Sequence, residues 1–245
     1  ISFFNLPIFY IFIYLYISKK KNFVLTVGLC AYNEGKNIEG LLNLILKEIS
    51  EKDEVIIILS PSKDDTERRI KSFRDERIKL IVEDKRYGKS LALNKLFREA
   101  KGDFLLYISA DSLPEKGSIL SLVKALEEDG NLGLVCADCF PLNEERGWVN
   151  KMGILLWNFH RELMKELSSF GELKHASDMY CVRREILKEI PKDVINDDGY
   201  IALLVKKRGF KVKFVKEAKV FILSPKKIHE FFYQRRRIIF GHIKN

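Results

Sequence analysis

Cysteine, proline and histidine are all scarce in this chain. Four Cys among 245 residues are too few for a disulfide scaffold and suit a reducing compartment. Cys136 and Cys139 form the one C-x-x-C, and a structural zinc needs about four ligands, so no zinc site is expected. His160, His175, His229 and His242 have no metal-ligand spacing among them, and no Ser-His-Asp arrangement can be argued. Six Pro and 14 Gly against 47% hydrophobic residues exclude a disordered, collagen-like or low-complexity chain. The lack of any fixed-period self-similarity excludes a repeat protein. At roughly 100–200 residues per domain, the length suits one catalytic-sized domain with an appendage.

Charge is missing from one end and unbalanced at the other. Ile1 to Ser18 carry no charged side chain, and Lys19, Lys20 and Lys21 come directly after. At about 1.5 Å per helical residue such a run reaches about 27 Å, just short of the ~30 Å hydrocarbon core. The positive-inside rule then keeps the chain beyond these lysines on the cytoplasmic side of the cell membrane. A secretory signal needs its positive region before the apolar run and a small-residue cleavage site after it, and neither is there. A membrane anchor over residues 1–21 is expected; a buried core element, which Asn5 and Pro7 favour, is the alternative.

From Lys206 to Asn245 the acids run out: 13 Lys or Arg stand against Glu217 and Glu230, a net +11 in a chain of net +9. A polyanion, an anionic membrane surface or a diphosphate leaving group would each suit this segment. No aromatic stacking platform or recognition motif accompanies it, so no nucleic-acid partner is expected. Lys226 to Ile243 sets Ile228, Phe231, Phe232, Ile238 and Ile239 among Arg235, Arg236 and Arg237, the pattern of a basic amphipathic helix at a membrane interface. The solvated face of a docked helix is an equal alternative. The expected organisation is therefore an anchor over 1–21, a catalytic domain over 22–225 and an interfacial segment over 226–245, which could lead into further membrane helices.

What fills the middle is alternation. Apolar runs at Asn22 to Cys30, Val55 to Leu59, Ile78 to Val82, Phe104 to Ile108 and Leu132 to Ala137 are separated by helical patterns. The pattern predicts an α/β fold with a mostly parallel sheet wrapped by helices. In such sheets ligands sit outside the carboxyl ends of the strands, which directs attention to Tyr32 to Glu34, Ser60 to Thr66, Glu83 to Lys89 and Ser109 to Ser112.

Those positions can support phosphate and metal chemistry. Asp111 stands directly after an apolar strand, where a carboxylate can hold a hard divalent cation together with substrate phosphates; helix capping is the plainer reading. Gly88-Lys89-Ser90 is no Walker loop, because the Gly required five residues earlier is Glu83. A Gly, a Lys and a helix amino end still suit a phosphate. Asp197-Asp198 opens a helical stretch, where capping is the commoner role and a general base the functional one.

Taken in order, these pieces resemble a family 2 inverting glycosyltransferase of the GT-A, Rossmann-like fold, over most of the chain from about Leu25. Val27 to Glu34 with Asn37-Ile38 looks like the family's nucleotide-binding start, and Ser60 to Thr66 like its second strand-end loop. Gly88 to Asn94 resembles the stretch after the third strand, and Ser109-Ala110-Asp111 stands where the family has Asp-x-Asp. Met179 to Arg184 resembles its acceptor-side segment, Asp197-Asp198 its Glu-Asp element, and Gln234-Arg235-Arg236-Arg237 the Gln-x-x-Arg start of its final motif. The resemblance implies a nucleotide-sugar donor held by Ala31, Tyr32, Asn33, Glu34, Ser60, Lys89, Asn94, Ala110 and Asp111. It implies Mg or Mn on Asp111, and Asp198 with Asp197 as the catalytic acids. Gln234, Arg236 and Arg237 would face the acceptor or the diphosphate, and the acceptor would be a lipid or saccharide hydroxyl at the membrane.

The departures also carry information. Ser109 replaces the first Asp of Asp-x-Asp, which favours a catalytically silent binding protein at the membrane surface as the rival reading. Ser60 replaces an Asp that commonly faces uracil, which counts against a UDP donor. Ile238 replaces the Trp that ends the processive-synthase motif, which counts against a long-chain synthase.

Overall fold

The computed structural model describes residues 23–142, 147–222 and 228–244, so the expected anchor over 1–21 lies outside the described residues. Four apolar runs form the strands β1 (Leu25–Ala31), β2 (Glu54–Leu59), β3 (Ile78–Val82) and β4 (Phe104–Ile108). Helices α1 (Ile38–Glu48), α2 (Thr66–Ser72), α3 (Lys89–Glu99) and α4 (Ser118–Glu128) alternate with them. The chain continues through β5 (Leu113–Pro114), β6 (Leu132–Pro141), α5 (Trp148–Ser169), β7 (Met179–Arg183), α6 (Asp197–Lys207), β8 (Lys211–Ile222) and α7 (Ile228–Lys244).

All eight strands join one sheet in the order β3-β2-β1-β4-β7-β6-β8-β5. The pairs β1–β2, β1–β4, β2–β3 and β6–β8 are parallel. The sheet is nevertheless mixed: β7 runs antiparallel to both β4 and β6, and β5 antiparallel to β8. This α/β architecture is that of the GT-A class, with antiparallel pairing in its second half that the apolar runs alone did not announce. Both faces are covered, which is why the central strands are apolar throughout rather than alternating. Val55, Ile57 and Leu59 pack with Leu41, Leu42 and Ile45 of α1 on one face. Ile56 and Ile58 pack with Leu93 and Leu96 of α3 on the other.

Two features bring the site together. Gly133 lets α6 lie close over β6, since a Cβ there would stand 2.7 Å from side-chain atoms of Val205, Ile186 and Phe210. Gly241 does the same for α7, where a Cβ would fall 2.4 Å from Asn196 Oδ1. Asn196 Nδ2 also donates to the Ile238 carbonyl at 3.1 Å, fastening α7 to the start of α6.

The basic segment is not a tail. Lys211, Lys213, Lys216 and Lys219 belong to β8, whose buried Val215, Ala218 and Val220 join the core on one face of the sheet and Val212 and Phe214 that on the other. Pro114 and Leu113 pair with Val220 and Phe221, and lysines along the rest of that outer edge discourage pairing with another chain. The expected amphipathic helix is present as α7, which buries Phe231 and exposes Phe232, Ile239 and Phe240. No helix among the described residues is long and apolar enough to cross a membrane.

Candidate active site

The loops after β1 and β2 are stitched together residue by residue. Asn33 takes a left-handed φ of 56°, which Asn tolerates better than most residues. In that conformation its N–H donates to Ser62 Oγ at 3.0 Å and its Oδ1 accepts the Lys63 N–H at 2.8 Å. Glu34 N–H donates to Thr66 Oγ1 and Gly35 N–H to Asp64 Oδ2. The Glu34 carboxylate is raised in pKa by burial, with the Asp111 and Asp64 charges adding to it against an Asn37 hydrogen bond. Ser60 N–H donates to the Ala31 carbonyl, and its hydroxyl donates to Glu83 Oε2 at 2.8 Å. Glu83 is 5% exposed, so the base of this corner is a buried hydroxyl–carboxylate pair.

These groups open onto a cavity of about 360 Å³ at the strand ends, which Ala31, Tyr32, Glu34, Ser60, Lys89, Ala110 and Asp111 all line. Arg86 closes one side with its guanidinium 3.9 Å from the centroid of the Tyr32 ring. A second cavity of about 230 Å³ is lined by Trp157, His160, His175, Asp197, Asp198 and Arg235, among others. Lys89, Asp178 and Arg237 line both cavities, so the two meet at these side chains.

The acids at the junction have different surroundings. Asp197 is buried at the start of α6, and its Oδ2 lies 2.9 Å from Lys89 Nζ. Burial raises its pKa and Lys89 opposes this. For Lys89, burial acts downward, but Asp197, Tyr107 and Asp198 outweigh it and hold the ammonium well above its ordinary pKa. Asp198 accepts the Gly199 N–H on Oδ1 at 2.8 Å, and its Oδ2 lies 2.9 Å from His175 Nε2. Burial alone would raise the Asp198 pKa, yet the charge and hydrogen bond of His175, with Lys89, bring it to about 2.

Asp178 sits beside the position where Asp-x-Asp begins. Ser109 Oγ donates to Asp178 Oδ1 at 3.3 Å, and Ser109 N–H donates to the Asp178 carbonyl at 2.9 Å. Burial raises the Asp178 pKa against the opposing charge of Lys89, and the charges of Asp111 and Asp198 add to the rise. Among the described residues no three His, Cys, Asp or Glu side chains cluster as a metal site. Asp111 is nonetheless exposed at the cavity mouth. An exposed carboxylate at the mouth of a cavity that Glu34 and Asp178 also line fits a hard cation that keeps waters and leans on substrate phosphates.

Some expected residues stand elsewhere. Asn94 is buried and spends both ends of its amide on Ile190, donating to its carbonyl and accepting its N–H, each at 2.8 Å. It clasps α3 to the segment before α6 and does not line the first cavity. Arg236 is exposed and lines neither cavity, whereas Arg235 and Arg237 do; on a helix, adjacent residues point about 100° apart. The Gln234 side chain lies outside the described residues. His175 and Asp178 join the site without any motif that marks them in the sequence, whereas Glu83 opens one of the strand-end stretches and Arg235 lies inside the Gln-Arg-Arg-Arg run. The clearest signal for His175 or Asp178 is an acid just ahead of the Met179 segment.

The profile of glycosyl transferase family 2 matches residues 26–191, well over half of the chain. The chain belongs to this family. Family 2 is an inverting family. The chain is 22% identical over 218 residues to the poly-beta-1,6-N-acetyl-D-glucosamine synthase of Staphylococcus aureus strain COL, covering 87% of this chain and 53% of that protein. It thus spans about half the length of that synthase. Its fold is similar to a mannosyltransferase from Pyrobaculum calidifontis in complex with GDP-Man and Mn2+, with TM-score 0.70 and 23% identity over 95% of this chain and 68% of the other. It is also similar to glucosyl-3-phosphoglycerate synthase from Mycobacterium tuberculosis in complex with Mn2+, UDP and glucosyl-3-phosphoglycerate, with TM-score 0.64 and 22% identity over 91% and 80%. The family-2 match ends at residue 191, so Asp197, Asp198 and α7 lie beyond it.

Proposed function

We propose that this family-2 chain transfers a sugar from a nucleotide diphosphate sugar to an acceptor hydroxyl, inverting the anomeric carbon. The observation that carries the reading is the junction of two cavities at Lys89, Asp178 and Arg237. A donor in the first cavity presents its anomeric carbon to an acceptor in the second. Asn33, Glu34 and Ser60 surround the nucleoside, while Lys89 and Arg237 face the diphosphate, Arg237 offering a bidentate fork that Lys cannot. Asp111 would hold Mg or Mn, which supplies charge neutralisation to the departing diphosphate. Asp198 draws the proton from the acceptor hydroxyl as its oxygen attacks, a role in which a positioned carboxylate typically supplies ~10²–10⁴-fold.

The acceptor is a lipid or saccharide, and the setting is the cytoplasmic face of the cell membrane. Support for this comes from the uncharged run Ile1 to Ser18 with its three lysines. The apolar side chains that α5 and α7 expose add to it, Leu155, Phe159, Phe232 and Phe240 among them. The second reading, a silent binding protein with this fold, is favoured by one observation: the hydroxyl of Ser109 engages Asp178 where a metal-binding carboxylate would stand.

A nucleotide-release screen decides between them. Purified protein with Mg or Mn is offered UDP-, GDP- and dTDP-sugars and a lipid or saccharide acceptor. Diphosphate release that depends on the metal supports transfer. Donor binding by calorimetry without release favours the silent protein.

A further inference from the structure

His175 has no part in the transfer chemistry assigned to Asp198, Lys89 and Asp111, yet it is the closest ionisable partner of the proposed base. It lies in the segment between α5 and β7, with its Nε2 2.9 Å from Asp198 Oδ2 and 26% of each side chain exposed. Its ring is steadied from the side by His160, met edge-on with centroids 5.7 Å apart, and His160 is met in turn by Trp157 at 5.5 Å. Both His175 and Asp198 open onto the second cavity. The ionisable groups around that cavity come from every neighbouring element: Asp197 and Asp198 from α6, Asp178 from its own segment, His160 from α5. Lys89 of α3, Cys139 of β6, and Arg235 and Arg237 of α7 complete the set.

We propose that His175 is the final holder of the proton lost by the acceptor hydroxyl, receiving it through Asp198. The inference rests on Asp198 being the base. In the step, the acceptor O–H bond breaks as its oxygen bonds to the anomeric carbon. The bond from that carbon to the diphosphate breaks, and the nucleoside diphosphate leaves with the electron pair. The proton passes to the Asp198 carboxylate and from Oδ2 to the bare Nε2 of a neutral His175 that carries its own hydrogen on Nδ1. An imidazolium then stands beside a carboxylate.

The chemistry favours that order. Ordinary pKa values are about 3.9 for Asp and about 6.5 for His, so a carboxylic acid touching a neutral imidazole gives its proton up. If His175 began the cycle charged, it would hold Asp198 too acidic to serve as a base. Burial lowers the His175 pKa, but the charge and hydrogen bond of Asp198, a backbone hydrogen bond at Ala176 and the Asp178 charge raise it above 6.5 on balance.

The test is His175→Gln in the full chain. Gln keeps a polar side chain of similar reach beside Asp198 and cannot hold the proton. Release of nucleoside diphosphate from GDP-mannose and UDP-glucose is followed with Mn2+ across pH 5 to 9, with water as acceptor, together with Asp198→Asn. Wild-type turnover should fall as pH drops through the raised His175 pKa, because an imidazolium takes no second proton. His175→Gln should lose that limb and turn over more slowly, by up to about 10²-fold, the lower end of general-base effects. Wild-type rate and pH profile in His175→Gln, with Asp198→Asn inactive, would overturn this inference and leave the base in place. Wild-type turnover in Asp198→Asn would overturn the base and this inference with it. A titration of the His175 ring by NMR needs neither donor nor a folded variant: a midpoint above 6.5 supports the relay, and one at or below 6.5 overturns it.

Discussion

Removing Asp138 should weaken the wall of the second cavity without touching the donor side. Asp138 is buried in β6 and meets Arg161 of α5 through Nε on Oδ1 and through Nη2 on Oδ2, the latter at 2.8 Å. The guanidinium also lies 3.7 Å from the centroid of the Phe140 ring. The Arg161 side chain is 16% exposed, so both charges have lost most of their water. Breaking a buried pair by removing one partner costs about 3–5 kcal/mol, because the other charge is left uncompensated. Arg161 can recover part of its hydration, which points to the lower end, about 3 kcal/mol for Asp138→Ala. Replacing both residues by apolar ones of similar size, Asp138→Leu with Arg161→Met, is expected to be far closer to neutral. Urea denaturation of wild type, Asp138→Leu, Arg161→Met and the double gives the coupling energy directly. Since α5 carries Trp157 and His160 to the cavity, Asp138→Ala should raise the acceptor KM and leave donor affinity nearly unchanged. A loss below about 1 kcal/mol, or a double variant no more stable than the sum of the singles, would show that the pair is not a buried interaction and refute the reasoning.

The same geometry sets other outcomes. Asp198→Asn should cut transfer by ~10²–10⁴-fold with little change in donor binding, while Asp197→Asn, which releases Lys89, should weaken the donor and cost less of the rate; calorimetry beside a transfer assay separates them. Asp111→Ala should abolish metal-dependent turnover with the circular dichroism spectrum intact, and excess EDTA should do the same to wild type. Stability should also vary with pH. The lowered Asp198 pKa stabilises the fold above its ordinary value of 3.8, and this is lost as pH falls toward about 2. The raised His175 pKa stabilises fully below 6.5 and is lost as pH rises through the folded value. Denaturation midpoints should therefore peak in between, and Asp198→Asn should flatten both limbs.

Sequence alone determined the first half of the sheet and the kind of chemistry at its edge. Continuous apolar runs such as Val55 to Leu59 can only be buried on both faces, and the turn residues after them put Glu34, Ser60 and Asp111 at strand ends. It did not reveal β7, α5 or β8. Met179 to Arg183 is a five-residue strand whose place depends on neighbours far along the chain. Lys-Val-Lys-Phe at the start of β8 alternates as a half-exposed strand should, but its lysines read as part of the basic segment from Lys206 to Asn245. Periodicity records which face of an element is buried and says nothing of which elements lie side by side. Only tertiary structure sets Ser109 against Asp178, 69 residues away, or brings Lys89 to Asp197 and His175 to Asp198. Those three contacts are long-range pairings made by the packing of α3, α6 and the antiparallel β7 around one sheet end, and each side chain taken singly carries no mark of its partner.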